Sequence, residues 1–282
     1  MRPAIVDPID LALREDIGDG DVTTDFFVAK DQQALARIVA RERAILAGAE
    51  TAAEVFRRVD PAIEIALVRK DGDEIHPDEA VIEARGAARS ILKAERVALN
   101  FLQRLSGVAT MTRKFVDAAA NERVKILDTR KTTPGLRALE KAAVVAGGGA
   151  NHRFGLFDMV LLKDNHLAIS AGVEAFATAL RKFRETKPDV QIEVEADSLE
   201  QVRTFLEVEG IDVILLDNMT PAQIREAIAV GKDKVKFEAS GGVTLKNVRQ
   251  IAATGVDYIS IGALTHSPRA IDFSLALTPV AS

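Results

Sequence analysis

The chain has 282 residues, 48% of them hydrophobic, enough to bury one large or two modest cores, and its net charge of −5 argues against a general nucleic-acid binder. It has no cysteine, which excludes disulfides, thiolate metal sites, iron–sulfur clusters and cysteine nucleophiles. The opening MRPAIVDPIDLALREDIG carries acidic residues and two prolines where a secretory signal needs a basic start, and no apolar run approaches the roughly 18 residues of a membrane span. A cytoplasmic location with no membrane partner is expected.

In the first hundred residues, strand-like pieces occur at Leu35 to Val39, Ile63 to Val68 and Ala80 to Ala84. Lys70-Asp71-Gly72-Asp73 reads as a turn between the last two, which predicts a small antiparallel sheet. Helical patterns cover Ala49 to Val59 and Arg89 to Leu105, the second expected to end at Gly107. That helix aligns Leu92, Ala98, Leu99, Leu102 and Leu105 on one face, with Arg96, Asn100, Gln103 and Arg104 as a polar stripe that reads most simply as solvated surface.

From about residue 124 strands and helices alternate, the signature of parallel βα units. The strands are Val124 to Leu127, Met159 to Leu162, Ile192 to Val194, Val213 to Leu216, Val235 to Phe237 and Tyr258 to Ile261. Helices are expected at about 134–146, 171–185, 198–208, 220–230 and 244–253. Six units predict an incomplete α/β barrel and not a closed eight-fold one.

Polar residues gather at the C-terminal ends of these strands, where barrel enzymes build their sites. They are Asp128-Thr129-Arg130-Lys131, Lys163-Asp164-Asn165-His166, Glu195, Asp217-Asn218, Glu238 to Gly242, and Gly262-Ala263 after Ile261. Arg130, Lys131, Arg153 and Lys163, with His152 adjoining, form a cationic cluster suited to an anionic ligand. Glu195 and Asp217 are hard oxygen donors for a divalent cation or for developing positive charge. Ser240-Gly241-Gly242 and Gly262-Ala263 lie after the last two strands, where barrels commonly hold phosphate. Taken singly, His152 reads as a hydrogen-bonded structural histidine and Gly147 to Gly149 as a helix cap. Lys163 leaves a Schiff-base aldolase open.

Ala94-Glu95-Arg96, Asn100-Phe101-Leu102, Leu105 to Thr110, the block DTRKTTPGLR (Asp128 to Arg137) and Gly147 to Arg153 resemble the quinolinate phosphoribosyltransferase family. So do Lys163 to His166, Glu193-Val194-Glu195, Leu215 to Asn218, Ser240 to Gly242, Gly262 to Ser267 and, near the start, Glu15 to Asp21. The resemblance implies an α/β fold with an N-terminal α/β sandwich at 1–107 and an open barrel at 108–269, with 270–282 a candidate to pack back on the first domain. It further implies transfer of phosphoribose from phosphoribosyl pyrophosphate to quinolinate with loss of carbon dioxide, Mg2+ as cofactor, and a homodimer with shared active sites.

By motif position, Arg96 of a neighbouring subunit, Arg130, His152, Arg153 and Lys163 are implied to bind the quinolinate carboxylates. Lys131, Glu195 and Asp217 are the implied catalytic set around the ribose and magnesium pyrophosphate, the two carboxylates holding metal directly or through substrate and water. Thr129, Ser240, Gly241, Gly242, Ile261, Gly262, Ala263 and His266 complete the substrate-binding set, several of them at the 5′-phosphate. Ala142 and Val145 depart from the commonest family pattern, at positions that bear on helix packing. Two other readings share the scaffold: a related base phosphoribosyltransferase, such as the molybdenum-transport-associated relatives, and a non-catalytic phosphoribosyl-ligand sensor. The complete cationic set favours a dicarboxylate, and the intact acidic pair argues against a sensor.

Overall fold

The structure, a computed structural model, describes residues 7–163, 173–231 and 233–280. Asp164, Asn165 and His166, which follow Lys163 in its motif, lie outside the described residues. The chain forms two compact units, crossing between them after Arg113, Lys131, Gly148 and Ala263. No helix among the described residues is long and apolar enough to cross a membrane.

The first unit is built on an antiparallel sheet. Its strands are β1 (Gln33–Ala40), β3 (Glu64–Leu67), β5 (Ala80–Ala87) and β12 (Phe273–Val280), in the order β12-β1-β5-β3. Two short strands, β2 (Ala44–Ile45) and β4 (Glu74–Ile75), pair separately. Alternation fixes which side of β1 is covered: Ala34, Ala36, Ile38 and Ala40 are buried and the residues between them are not. The tail segment pairs with β1 along its full length, from Gln33 opposite Val280 to Ala40 opposite Phe273.

The long helix of this unit differs from expectation. It runs from Ala88 to Ala119, straight through Gly107. That glycine does not stop the helix; it admits a neighbouring backbone. A Cβ there would lie 2.2 Å from the carbonyl oxygen of Arg269. The polar stripe is also divided. Arg96 and Asn100 are exposed, but Arg104 turns inward and donates to Glu140, whose side chain is completely buried. The same carboxylate accepts from the backbone N–H and the hydroxyl of Thr133, at 3.0 and 2.7 Å. This network anchors the second half of the DTRKTTPGLR block.

The second unit is a six-stranded parallel sheet. Its strands are β6 (Lys125–Leu127), β7 (Val160–Leu162), β8 (Ile192–Ala196), β9 (Val213–Asp217), β10 (Lys236–Ser240) and β11 (Tyr258–Ser260), in the order β6-β11-β10-β9-β8-β7. Chain order runs round the sheet, and β6 closes onto β11 while no pairing joins it to β7 among the described residues. The barrel is therefore open, as six βα units require. Strands covered on both faces are expected to be apolar throughout. Ile192, Val194, Ile214 and Leu216 meet that expectation, whereas Glu193 and Glu238 break it.

Candidate active site

Register decides which residues share the inner face. Glu195 pairs with Leu215, Ser240 with Asp217, and Leu162 with Val194, so Lys163 follows on one step beyond the last pair of β7. Side chains alternate along a strand, so Glu193 and Glu195 of β8, Val213, Leu215 and Asp217 of β9, and Glu238 and Ser240 of β10 point the same way. Glu193, Val213 and Glu238 line one cavity with Lys125, Leu127 and Tyr258, which identifies that face as the barrel interior.

At the mouth, Lys163 Nζ is 2.5 Å from Glu195 Oε2. Asp217 accepts from the side-chain amide of Asn218 at 2.8 Å, and Thr129 Oγ1 accepts from the Lys131 N–H at 3.0 Å. Arg130 and Lys131 are exposed in the loop after β6. Arg153 is half-buried; desolvation and the nearby charge of Arg130 push its guanidinium down from its ordinary value. The two arginines thus crowd like charge into one place, which an anion with several negative groups would relieve.

The glycine loop has a steric reason. Gly241 has φ +90°, and a Cβ there would lie 2.2 Å from Asn218 Oδ1, while Gly242 has φ +59°. At Gly241 both the left-handed backbone and the approach of Asn218 exclude a side chain, whereas Gly242 faces open space and only its backbone conformation favours glycine. Ile261 is buried, and Gly262 and Ala263 are half-buried at the start of the short helix Ala263–His266. Two of the expected site residues belong to the first unit. Arg96 is exposed on the long helix, and His266 is exposed with Nδ1 2.7 Å from Ser267 Oγ.

Sequence reasoning set Asp128 and Glu238 at the strand ends and gave Glu193 no role; all three are buried beneath the mouth, Glu193 and Glu238 within their strands. Asp128, fully buried, accepts the His152 backbone N–H at 2.9 Å. His152 Nδ1 in turn accepts the Arg153 N–H at 2.8 Å. Its Nε2 lies 2.9 Å from Glu193 Oε2 and 3.5 Å from Glu238 Oε2. Both Glu193 oxygens and Glu238 Oε1 are buried with no hydrogen-bond donor, so the ring meets Glu193 off the line of a hydrogen bond. Burial pushes each carboxyl up to about 8, and in Glu238 the neighbouring Glu193 adds to the shift. The signal was present in the sequence: a glutamate inside each of two apolar strands, IEVEA and KFEAS.

His152, Glu193 and Glu238 have their ligand atoms within 4.8 Å of one another, spacing that suits a cation. The tautomer does not. Because Nδ1 accepts a backbone N–H, the ring proton sits on Nε2, where a metal would need a lone pair. Glu195 and Asp217, half-buried on adjacent strands at the mouth, have the hard oxygen chemistry that suits Mg2+ together with substrate oxygens and water.

An open parallel α/β barrel with cations, a carboxylate pair and a glycine loop at its strand ends defines a barrel enzyme whose mouth is built for an anionic ligand. The particular family follows from comparison. The chain belongs to the quinolinate phosphoribosyltransferase family: the model of the family's N-terminal domain matches residues 21–106 and that of its C-terminal domain residues 108–276. It is 46% identical over 265 residues to the probable nicotinate-nucleotide pyrophosphorylase [carboxylating] of Bacillus subtilis (strain 168), covering 94% of this chain and 90% of that one. Among solved structures it is similar to NadC from Streptococcus pyogenes, with a TM-score of 0.92, 40% identity, and 98% and 97% of the two chains covered. The nicotinate-nucleotide pyrophosphorylase from Francisella tularensis gives a TM-score of 0.90 at 39% identity, with 96% and 94% covered.

Proposed function

We propose that this enzyme joins quinolinate to phosphoribosyl pyrophosphate and forms nicotinate mononucleotide, pyrophosphate and carbon dioxide, a step of NAD biosynthesis. The observation that carries the reading is the cationic set at the strand-end mouth: Arg130 and Lys131 in the loop after β6, Lys163 directly after β7 and paired with Glu195, and Arg153 close enough to Arg130 to feel its charge. Such a cluster suits two carboxylates held in fixed orientation, and guanidinium forks give that geometry.

The roles follow from where charge develops. The pyridine nitrogen attacks the anomeric carbon as pyrophosphate departs, so the ribose becomes cation-like and the leaving group gains negative charge. Glu195 and Asp217 face the first and Lys131 the second. When bound by Glu195, Asp217 and substrate oxygens, Mg2+ supplies neutralising charge at the pyrophosphate. The nitrogen is then quaternary, and the adjacent carboxylate leaves as carbon dioxide, its electron pair stabilised by the positive ring. No covalent enzyme intermediate is needed. Lys163, paired with Glu195, serves as an electrostatic clamp and not as a Schiff-base nucleophile. The loops at Ser240–Gly242 and Ile261–Ala263, with His266, take the 5′-phosphate, and Thr129 completes the substrate contacts.

In this reading Arg96 serves a second copy of the chain, and the working form is a homodimer with shared sites; association beyond the dimer is left open. Turnover with quinolinate and with nicotinate, measured side by side in the presence of phosphoribosyl pyrophosphate and Mg2+, tests the substrate. Quinolinate alone should react at a substantial rate. Equal turnover with nicotinate would assign the chain to another base.

A further inference from the structure

We propose that Asn218 is a positioning residue for phosphoribosyl transfer. Its side chain ties the Asp217 carboxylate to the Ser240-Gly241-Gly242 loop and so fixes the span between the group that faces the ribose and the loop that takes the 5′-phosphate. The inference rests on the reading of Asp217 and that loop as parts of the phosphoribosyl site.

Three contacts of one residue carry it. The Asn218 side-chain amide donates to Asp217 Oδ2 at 2.8 Å. Its backbone N–H donates to the Ser240 carbonyl at 2.9 Å, one step beyond Asp217 and Ser240, the last paired residues of β9 and β10. Its carboxamide occupies the space that a Cβ of Gly241 would need, with Cγ 2.5 Å from that point. An ionised carboxylate only accepts, so the NH2 end of the amide must face Asp217 and the oxygen end Gly241. Each end of this short side chain thus meets a different part of the site.

The backbone explains why the residue is asparagine. Asn218 has φ +55°, in the left-handed region that asparagine enters more readily than most residues with a side chain. Burial does not hold the side chain, because Asn218 is exposed. Asn247 offers a comparison within the same loop. It accepts from the Thr244 N–H at 2.7 Å and donates to the Gly242 carbonyl at 3.0 Å, so its bonds stay inside the segment that follows β10. Of the two asparagines, Asn218 is the one that bonds a catalytic carboxylate. Ribose and 5′-phosphate belong to one small ligand, so an error in the span between their two partners misplaces the anomeric carbon.

The test separates the span from its two ends in the full-length protein. Asn218→Gly keeps the left-handed backbone and its N–H but deletes the side chain. Asn218→Asp keeps the shape but replaces the donor with a second carboxylate. Both should melt close to wild type, since an exposed side chain is changed, and kcat should fall about tenfold or more in each. Binding is titrated without Mg2+ and without turnover. Nicotinate mononucleotide spans both elements, and its Kd should rise about tenfold in Asn218→Gly, whereas inorganic phosphate, which engages the loop alone, and quinolinate should stay within about threefold of wild type. Asn247→Ala, by contrast, should weaken phosphate and mononucleotide by similar factors. Wild-type kcat and mononucleotide affinity in Asn218→Gly would overturn the proposal, as would full activity in Asn218→Asp. Equal weakening of phosphate and mononucleotide in Asn218→Gly would also overturn it, by reducing Asn218 to loop support. If Asp217→Ala bound nicotinate mononucleotide as wild type does, the reading of the site would be what failed, and the tie would fall with it.

Discussion

Glu140→Ala probes the network that fixes the most specific sequence block. The Glu140 carboxylate is completely buried and receives the Nε and Nη2 groups of Arg104 at 3.0 and 2.7 Å, plus two bonds from Thr133. Removing it leaves the Arg104 guanidinium, itself largely out of water, without its charge partner. Breaking such a pair from one side costs about 3–5 kcal/mol, mostly the penalty of the stranded charge. At roughly 2–4 °C per kcal/mol for a chain near this size, the Tm should fall by at least about 6 °C. Glu140→Gln keeps the shape and one acceptor oxygen, so it should fall between wild type and Glu140→Ala. Scanning calorimetry at fixed pH and ionic strength measures both. A loss below about 2 °C for Glu140→Ala would refute the reasoning and show that water or rearranged carbonyl groups satisfy Arg104 unaided.

Stability should also respond to the buried acids. Burial raises the folded-state values of Glu193 and Glu238 to about 8, above the roughly 4.3 of a free glutamate, so their contribution is fully present below the unfolded value and is lost as pH rises through 8. Between pH 5 and 8 the Tm of wild type should therefore fall relative to the Glu193→Gln/Glu238→Gln variant, and a relative rise would contradict the assignment. Gly107→Ala should lower the urea midpoint by an amount worth about 1–3 kcal/mol or more, because the new Cβ meets backbone atoms of Arg269 and Ala270; an unchanged midpoint would mean that the segment yields freely. Borohydride treatment with substrates should leave no adduct on Lys163, and a mass increase at that residue would revive the aldolase alternative. Finally, Arg96→Ala and Lys131→Ala chains mixed under subunit exchange should recover about a quarter of wild-type activity, since half the dimers would own one intact site. Verified exchange without recovery would confine Arg96 to its own chain or to no site.

The barrel was legible because its signal is local: short apolar strands, each followed by polar residues and a helix. Register then needs only consecutive pairing, which places Lys163 beside Glu195 and Ser240 beside Asp217. What was not legible depends on contacts distant in sequence. Gly107 looked like a helix stop because the carbonyl of Arg269, which requires the glycine, lies 162 residues further along. Arg104 looked solvated because its partner Glu140 is on another helix. The pairing of Phe273–Val280 with β1 could be raised as a candidate packing, but no local pattern specifies its register. The glutamates under His152 were visible as exceptions in apolar strands, yet strand periodicity alone could not say that they converge on one ring.

The central claim is that decarboxylation accompanies phosphoribosyl transfer to a pyridine dicarboxylate. Quinolinate labelled in the carboxyl adjacent to the ring nitrogen tests it directly, with labelled carbon dioxide, pyrophosphate and nicotinate mononucleotide followed in one reaction. The account predicts the three products in equal amounts, with release of label strictly dependent on phosphoribosyl pyrophosphate. A mononucleotide that retained the label, or label released without phosphoribosyl pyrophosphate, would contradict it.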